Sequence, residues 1–172
     1  MSTFPQGSFS AIVADPPWMF DDRGTRLAPS YAGKQRKAGS HYNVLSLRDI
    51  CALPVQSIAA DDCFLFLWIP EALRATMCYF VDQWDANTGM QFYTQRKSEA
   101  KQAQQAFEFN GFHTAVLEAW GFTSTGAELV WVKGRVDQDK LCLRIGGGHT
   151  VRNAHETCII ARRGKPARLD KG

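Results

Sequence analysis

The sequence predicts an α/β fold with a mostly parallel β-sheet, and two observations support this prediction. Four short apolar runs, rich in Val, Ile, Phe and Trp, are typical of strands that are covered on both faces. Helical patterns lie between these runs, and strands that alternate with helices form βαβ units. The predicted strands are residues 9–14, 63–69, 129–132 and 157–161.

Three helices are predicted between the strands. Residues 46–53 have Ser46 as the N-cap, with Asp49 as its acidic partner in a capping box. Residues 70–84 place apolar side chains on one helical stripe. Residues 113–120 are followed by a glycine, a residue type that commonly ends a helix.

Two segments depart from this alternation. Residues 21–39 are polar, basic and glycine-containing, which is typical of a mobile loop. Residues 85–111 begin with a turn pattern and then become rich in Gln, Lys and Ala. We therefore expect a helical insertion here, with an exposed helix over residues 95–107. The whole chain, residues 1–172, is predicted to be a single domain.

Composition excludes several classes of protein. The chain has 172 residues, 45% of them hydrophobic, and this composition excludes a disordered tail or a fibrous repeat. Its net charge of +3 is too small for a polybasic binder. No apolar run approaches the roughly 18 residues that a membrane span needs, and the N-terminus does not resemble a secretory signal. The scattered cysteines and histidines lack ligand spacing, so we expect mostly buried free thiols, no metal and a cytoplasmic location.

The most informative residues are Asp15-Pro16-Pro17-Trp18, directly after the first predicted strand. Ligands of open α/β sheets bind beyond the carboxyl ends of the strands, so a site is expected here. The two prolines stiffen the backbone and remove two N–H donors, and Asp15 adds a carboxylate. The corner is therefore rich in hydrogen-bond acceptors and lies beside the flat face of Trp18.

Such a corner suits an exocyclic amino group on a flat ring. The Asp15 carboxylate and the Pro16 carbonyl can accept its two hydrogens, which favours a pyramidal nitrogen with a free lone pair. Trp18 can stack on the base, an interaction worth about 1–3 kcal/mol. The alternative is an ordinary Asp-Pro-Pro turn with a half-buried tryptophan, which the tetrapeptide alone leaves open.

This tetrapeptide resembles the signature of the MT-A70-like adenine N6-methyltransferases, which use S-adenosylmethionine (SAM). Other segments resemble the same family, in the same order along the chain. They are residues 41–46 and 50–55, Leu65-Phe66-Leu67-Trp68, residues 118–122 and 128–133, Arg152-Asn153-Ala154-His155-Glu156 and residues 161–164. The resemblance implies the Rossmann-like sheet of a SAM-dependent methyltransferase.

The resemblance also implies roles for individual residues. Asp15 and Pro16 hold the adenine amino group, and Trp18 stacks on the base or shapes its pocket. The implied catalytic residues are Asp15, Pro16, Pro17 and Trp18, and the implied substrate-binding residues are Tyr42, Lys133, Asn153 and Glu156. Asp15 and Lys133 are also the expected contacts to the cofactor SAM.

Three of these residues have ordinary structural alternatives. Tyr42 suits a loop aromatic, Lys133 a solvated strand end, and Glu156 a surface ion pair with neighbouring arginines. The remaining tryptophans that follow or fill apolar runs are assigned to core packing; they are Trp68, Trp120 and Trp131.

The implied reaction needs neither a metal nor a covalent intermediate, because the methyl group of SAM is already activated and the enzyme mainly aligns the reacting atoms. The target adenine must be flipped out of a duplex or single-stranded. Basic side chains in residues 23–37 and near the C-terminus are candidate phosphate contacts, with a solvated loop and tail as the alternative. The C-terminal ones are Arg162, Arg163, Lys165, Arg168 and Lys171.

The sequence departs from the family in two places. Family members carry a further segment after the region that corresponds to residues 162–164, and this segment supplies much of the SAM pocket. The sheet is therefore expected to be incomplete at the C-terminus. Residues 78–112 interrupt what is normally one helix.

We therefore expect a SAM-dependent adenine N6-methyltransferase of a bacterium or phage, acting on DNA rather than RNA. The alternative is a catalytically incompetent relative that binds nucleic acid or a partner chain. For the methyltransferase, a homo- or hetero-oligomer is the expected way to complete the SAM pocket. A third alternative changes the acceptor to glutamine or cytosine, as in related Asn-Pro-Pro or Ser-Pro-Pro enzymes, but Asp15 favours adenine.

Overall fold

The computed structural model describes residues 4–19, 43–74, 76–83, 91–137, 139–143 and 154–167. The predicted loop 21–39, Tyr42 and Asn153 lie outside the described residues. The described elements are β1 (Phe9–Ala14), α1 (Leu47–Cys51), a 3₁₀ turn (Val55–Ser57), β2 (Ala59–Ile69), α2 (Glu71–Arg74), β3 (Met77–Gln83), β4 (Phe92–Thr94), α3 (Lys97–Gln102), β5 (Gln105–Asn110), α4 (Phe112–Trp120), β6 (Thr123–Val132), β7 (Gly134–Asp137), β8 (Lys140–Leu143) and β9 (His155–Arg163).

The larger sheet is mixed, with strand order β1-β2-β9-β6. β1 pairs parallel with β2, whereas β9 pairs antiparallel with both β2 and β6. The fold is therefore α/β as predicted, but the prediction of a mostly parallel sheet is wrong. A parallel return requires a long crossover, usually a helix, and the described part of the chain between β6 and β9 forms the hairpin β7–β8 instead.

This topology brings four chain segments to one end of the sheet. β1, β2 and β6 run in one direction, and β9 runs against them. β2 ends at Ile69, which pairs with Thr157 near the start of β9. β6 ends at Val132, which pairs with His155, the first residue of β9. Residues that follow three strands therefore meet the residues that begin the fourth.

Among the residues that the structure describes, helices pack on one face of this sheet. Alternate side chains of β2, among them Leu65 and Leu67, are fully buried against α1 and α4. On the opposite face, Val13 is 72% exposed and Trp131 is 57% exposed. The expectation that the strands are covered on both faces is therefore wrong for the two edge strands, β1 and β6.

The short helix α1 forms for the local reason that the sequence indicates. The Ser46 Oγ accepts a hydrogen bond from the Asp49 backbone N–H at 3.2 Å, and the Asp49 carboxylate accepts one from the Ser46 N–H at 3.2 Å. This reciprocal capping box satisfies N–H groups that the first helical turn leaves unpaired. The helix then buries three side chains in the core, namely Leu47, Ile50 and Cys51.

Helix α4 also matches its prediction. Gly121 ends it in the left-handed conformation with φ 74°, and the Phe122 N–H donates to the Leu117 carbonyl at 2.9 Å. These are the contacts of a glycine C-cap. Trp120 is 1% exposed, and its indole N–H donates to the Ile50 carbonyl at 3.0 Å, which confirms its assignment to the core.

The segment after β2 differs from its prediction. The helix predicted over residues 70–84 ends at Arg74, and Met77–Gln83 form the central strand of a three-stranded sheet with order β4-β3-β5. Both pairings are antiparallel. Residues 76–83 include aromatic and β-branched side chains that favour strands once partners are available, and short apolar runs do not distinguish helix from strand.

Within the described part of the predicted insertion, residues 91–111, only Lys97–Gln102 are helical. The helix predicted over residues 95–107 is thus about half as long as expected, because Gln105–Asn110 pair with β3 as strand β5. Side chains from this smaller sheet, such as Cys78 and Phe109, belong to the same apolar cluster as α1 and α4.

Four of the cysteines are buried free thiols, as expected, and Cys142 is exposed. The buried ones are Cys51, Cys63, Cys78 and Cys158. No helix in the described part of the chain is both long enough and apolar enough to cross a membrane.

Candidate active site

A cleft of about 220 Å³ opens at the end of the larger sheet where the four segments meet. Its lining comes from the corner after β1, the end of β2 and the start of β9. The lining residues are Asp15, Pro16, Trp18, Trp68, Ile69, Pro70 and Glu156. The structure thus brings three residues of the predicted catalytic motif together with Glu156, which lies about 140 positions later in the chain.

Backbone hydrogen bonds hold the corner after β1 in one shape. The Trp18 N–H donates to the Pro16 carbonyl at 2.8 Å, which closes a tight turn around Pro17. The Pro17 carbonyl accepts from the Leu45 N–H at 2.8 Å, and the Met19 N–H donates to the Leu45 carbonyl at 3.1 Å. The Pro16 oxygen has two lone pairs, so it keeps one for a ligand.

Trp18 forms a wall of the cleft. It is 3% exposed and belongs to the main apolar cluster, and its indole N–H donates to the Trp68 carbonyl at 3.0 Å. A ring this deeply buried presents little free surface for stacking. Of the two roles that the sequence implies for Trp18, its burial favours the shaping of the pocket.

Lys133 and Glu156 form an ion pair beside the cleft. Each side chain is 40% exposed, and the Lys133 backbone N–H donates to the Ala154 carbonyl at 2.6 Å. Glu156 therefore pairs with Lys133 rather than with the arginines that its surroundings in the sequence suggested. Arg163 instead donates to backbone carbonyls, including that of Gln56 at 3.1 Å.

The electrostatic surroundings of Asp15 come from this pair. Partial burial and then the negative charge of Glu156 raise the pKa of the Asp15 carboxyl, and the positive charge of Lys133 lowers it. The three groups are therefore close enough to influence one another across the cleft. Lys133 offsets part of the effect of Glu156 and favours the ionised, acceptor form of Asp15.

The end of β2 also contributes to the cleft, which the sequence did not indicate. Trp68, Ile69 and Pro70 line the cleft, although Trp68 was assigned to the core. Trp131 was also assigned to the core and is exposed; its ring contacts that of Trp68 edge-on, with centroids 6.1 Å apart. The predicted parallel pairing of the first two strands could have indicated this contribution, because the carboxyl ends of neighbouring parallel strands lie side by side.

Several predicted residues are not placed by the structure. Tyr42, Asn153, Arg168 and Lys171 lie outside the described residues. Pro17 holds the corner through its carbonyl but is not among the residues that line the cleft. No group of three or more His, Cys, Asp or Glu side chains that could bind a metal occurs in the part of the chain that is described.

Comparison with known proteins identifies the family of this chain. One curated relative, the Type II methyltransferase M.MunI of a Mycoplasma species, is 30% identical over 89 residues. The matched region covers 46% of this chain and 38% of that protein, so the chain spans well under half of the relative's length. The model of the MT-A70 family matches residues 9–104, which include β1, the Asp15–Trp18 corner and β2. Because this match covers more than half of the sequence and contains the corner that lines the cleft, the chain belongs to the MT-A70 family.

Proposed function

We propose that this chain transfers the methyl group of SAM to the N6 amino group of an adenine in nucleic acid. The observation that supports this most strongly is the convergence of the Asp15 carboxylate and the Pro16 backbone on one cleft. At about 220 Å³ the cleft is smaller than the roughly 300–1,000 Å³ of pockets that enclose a whole small-molecule ligand. It suits a single planar ring system inserted from outside.

The corner binds the amino group through acceptors alone. The Asp15 carboxylate takes one amino hydrogen, and the remaining lone pair of the Pro16 carbonyl takes the other. The backbone of the corner is held before substrate arrives, because hydrogen bonds to Leu45 and Trp68 fix the residues that follow Pro16. These two hydrogen bonds favour a pyramidal amino nitrogen. Its lone pair is then less delocalised into the ring and is directed away from the two acceptors.

The charged groups beside the cleft also fit SAM. A carboxylate such as Asp15 stabilises a nearby sulfonium cation, and an ammonium group such as that of Lys133 is suited to the carboxylate of the methionine portion. When bound, SAM supplies a methyl group that needs no further activation. The protein contributes orientation of the acceptor nitrogen and exclusion of water by the wall that Trp18 forms.

We propose DNA rather than RNA as the polymer. An adenine within a duplex cannot enter a cleft of this kind, so the base must be flipped out or unpaired. The name of the relative, a Type II methyltransferase, supports methyl transfer as the reaction.

A second candidate function is favoured by one observation. The open face of the larger sheet exposes several large apolar side chains, among them Val13, Leu129 and Trp131. An exposed apolar patch of this kind is typical of a surface that binds another chain. A relative that binds nucleic acid or a partner subunit without transferring methyl groups therefore remains the alternative.

One experiment separates these functions. The protein is incubated with DNA or RNA and with SAM that carries a deuterated methyl group, and the nucleosides are then analysed by mass spectrometry. We expect deuterated N6-methyldeoxyadenosine from DNA. Label in cytosine, or binding of nucleic acid without any label, would contradict the proposed reaction and would favour another acceptor or the second candidate.

A further inference from the structure

A second pocket, remote in sequence from the Asp15 corner, lies between the three-stranded sheet and the helices α1 and α4. Its volume of about 630 Å³ falls within the roughly 300–1,000 Å³ typical of ligand pockets. Its described lining is Cys51, Phe80, Tyr93, Phe107, Phe109, Glu118 and Ala119. None of the residues that line the cleft at Asp15 takes part in it.

Aromatic rings from all three strands form most of this lining. Phe80 in β3 pairs with Tyr93 in β4 and with Phe107 in β5, so the three side chains lie in one row on the same face. The ring centroids of Phe80 and Tyr93 are 4.9 Å apart, and those of Phe80 and Phe107 are 6.4 Å apart. Phe107 is 49% exposed at the rim, so the row offers aromatic surface to a ligand from outside.

The described lining contains a single charged side chain, that of Glu118. Within the described residues its carboxylate makes no hydrogen bond or ion pair. Burial, followed by the nearby Cys51, Glu118 and Cys78, raises the pKa of Tyr93 to about 12. Glu118 and Tyr93 line the same pocket, which places the carboxylate beside the aromatic row.

We propose that this aromatic pocket binds the guanidinium group of an arginine side chain that a partner polypeptide presents. A cation over aromatic rings is attracted by their negative faces, and arginine is the cation that most often stacks in this way. Its planar fork of N–H donors also matches a carboxylate such as Glu118 in a bidentate arrangement. A nucleic-acid strand fits less well, because its phosphates would approach Glu118 without a basic residue in the described lining.

The test uses a blocked peptide, acetyl-Gly-Arg-Gly-amide, as the probe in an NMR titration of the full chain. A peptide with citrulline in place of arginine has almost the same shape without the charge. We expect the arginine peptide to shift the amide signals of Tyr93, Phe107 and Ala119, and to bind at least about tenfold more tightly than the citrulline peptide.

Two variants and one matched control locate the binding. Glu118→Gln removes the charge and should weaken binding of the arginine peptide at least about tenfold, and Phe107→Leu should weaken it about fivefold. Glu108→Gln removes a carboxylate from the other face of β5 and should leave the affinity unchanged. The amide spectra of the variants show directly whether they remain folded.

Each other outcome overturns the proposal. Equal affinity for the arginine and citrulline peptides, an unchanged affinity in Glu118→Gln, or no shifts at the pocket would exclude a guanidinium site. Tighter binding of free L-arginine than of the peptide would exclude a polypeptide as the source. Displacement of the peptide by single-stranded DNA, with loss of DNA binding in Phe107→Leu, would make the pocket a nucleic-acid surface.

Discussion

The indole N–H of Trp18 donates a hydrogen bond to the backbone carbonyl of Trp68, with a nitrogen-to-oxygen distance of 3.0 Å. This bond joins the corner that follows β1 to the end of β2. Because Trp18 is also 3% exposed, one side chain both fills the core and fixes the position of the acceptors at Asp15 and Pro16. The stability of the fold and the geometry of the cleft are therefore coupled at this residue.

Replacing Trp18 by phenylalanine should destabilise the protein by about 1–3 kcal/mol, because the variant loses the hydrogen bond to Trp68 and leaves space in the core. Urea unfolding measures the change. The matched control is Trp131→Phe, at a position that is 57% exposed, where we expect a change within about 0.5 kcal/mol. Equal losses in the two variants would show that Trp18 has no special role in holding the corner.

Asp15 should limit the stability of the fold at neutral pH. Burial and Glu156 raise its pKa above that of the unfolded chain, so its favourable contribution is present at acidic pH and is lost as the pH rises through the folded-state value. Asp15→Asn should therefore melt at a higher temperature than the native protein, and the difference should grow as the pH rises from about 4 through the folded-state pKa. A native protein that is more stable than the variant at pH 7 would contradict the raised pKa.

The ion pair beside the cleft should set the pH dependence of methyl transfer. The proposed reaction requires ionised Asp15, so the acid limb of the rate profile follows its pKa. Glu156→Gln removes a charge that raises this pKa and should move the acid limb to lower pH, whereas Lys133→Met should move it to higher pH. The position of the limb, rather than the maximal rate, is the readout. Shifts in the same direction would exclude this electrostatic role.

Gly111 should tolerate no side chain, because it joins β5 to α4 where the chain passes close to α2. A Cβ atom there would overlap the Arg74 carbonyl oxygen, and the residue has φ +93°. Gly111→Ala should cost more than about 3 kcal/mol in thermal or urea unfolding. Gly126→Ala is the control, since Gly126 has φ +77° with no atom near the added Cβ and should cost only about 1 kcal/mol. Similar costs would mean that the close contact is relieved by a backbone shift.

Local features of the fold were predictable from the sequence because neighbouring residues determine them. Ser46 and Asp49 form the capping box that starts α1, and Gly121 ends α4 in the left-handed conformation. The first strand was predicted with the bounds that it has, Phe9–Ala14. At the two helix ends the deciding contacts lie within a few positions of one another along the chain, and for β1 the short apolar run gave the bounds although its partner strand is distant.

Features that depend on distant pairing were not predictable in this way. The direction of β9 follows from its pairing with β2 and β6, which no local pattern records. Met77–Gln83 form a strand because β4 and β5 supply partners, although their apolar spacing also suits a helix. The exposure of Trp131 likewise follows from its position on an edge strand.

The candidate site was predictable in part. The Asp15 corner and Glu156, both singled out from the sequence, line one cleft, and Lys133 lies beside it in an ion pair with Glu156 that the sequence did not predict. The contribution of Trp68 and Pro70 was missed, because it requires the parallel register of β1 and β2. The functional roles of all the predicted site residues, Tyr42 and Asn153 included, stay predictions.

The central claim is that the Asp15 carboxylate holds the amino group of the target base. The most direct test compares transfer of labelled methyl groups from SAM to DNA by the native protein, by Asp15→Asn and by Asp61→Asn, an exposed control. We expect Asp15→Asn to lose at least about a hundredfold in rate, and Asp61→Asn to retain the native rate. A native rate of transfer in Asp15→Asn would contradict the account.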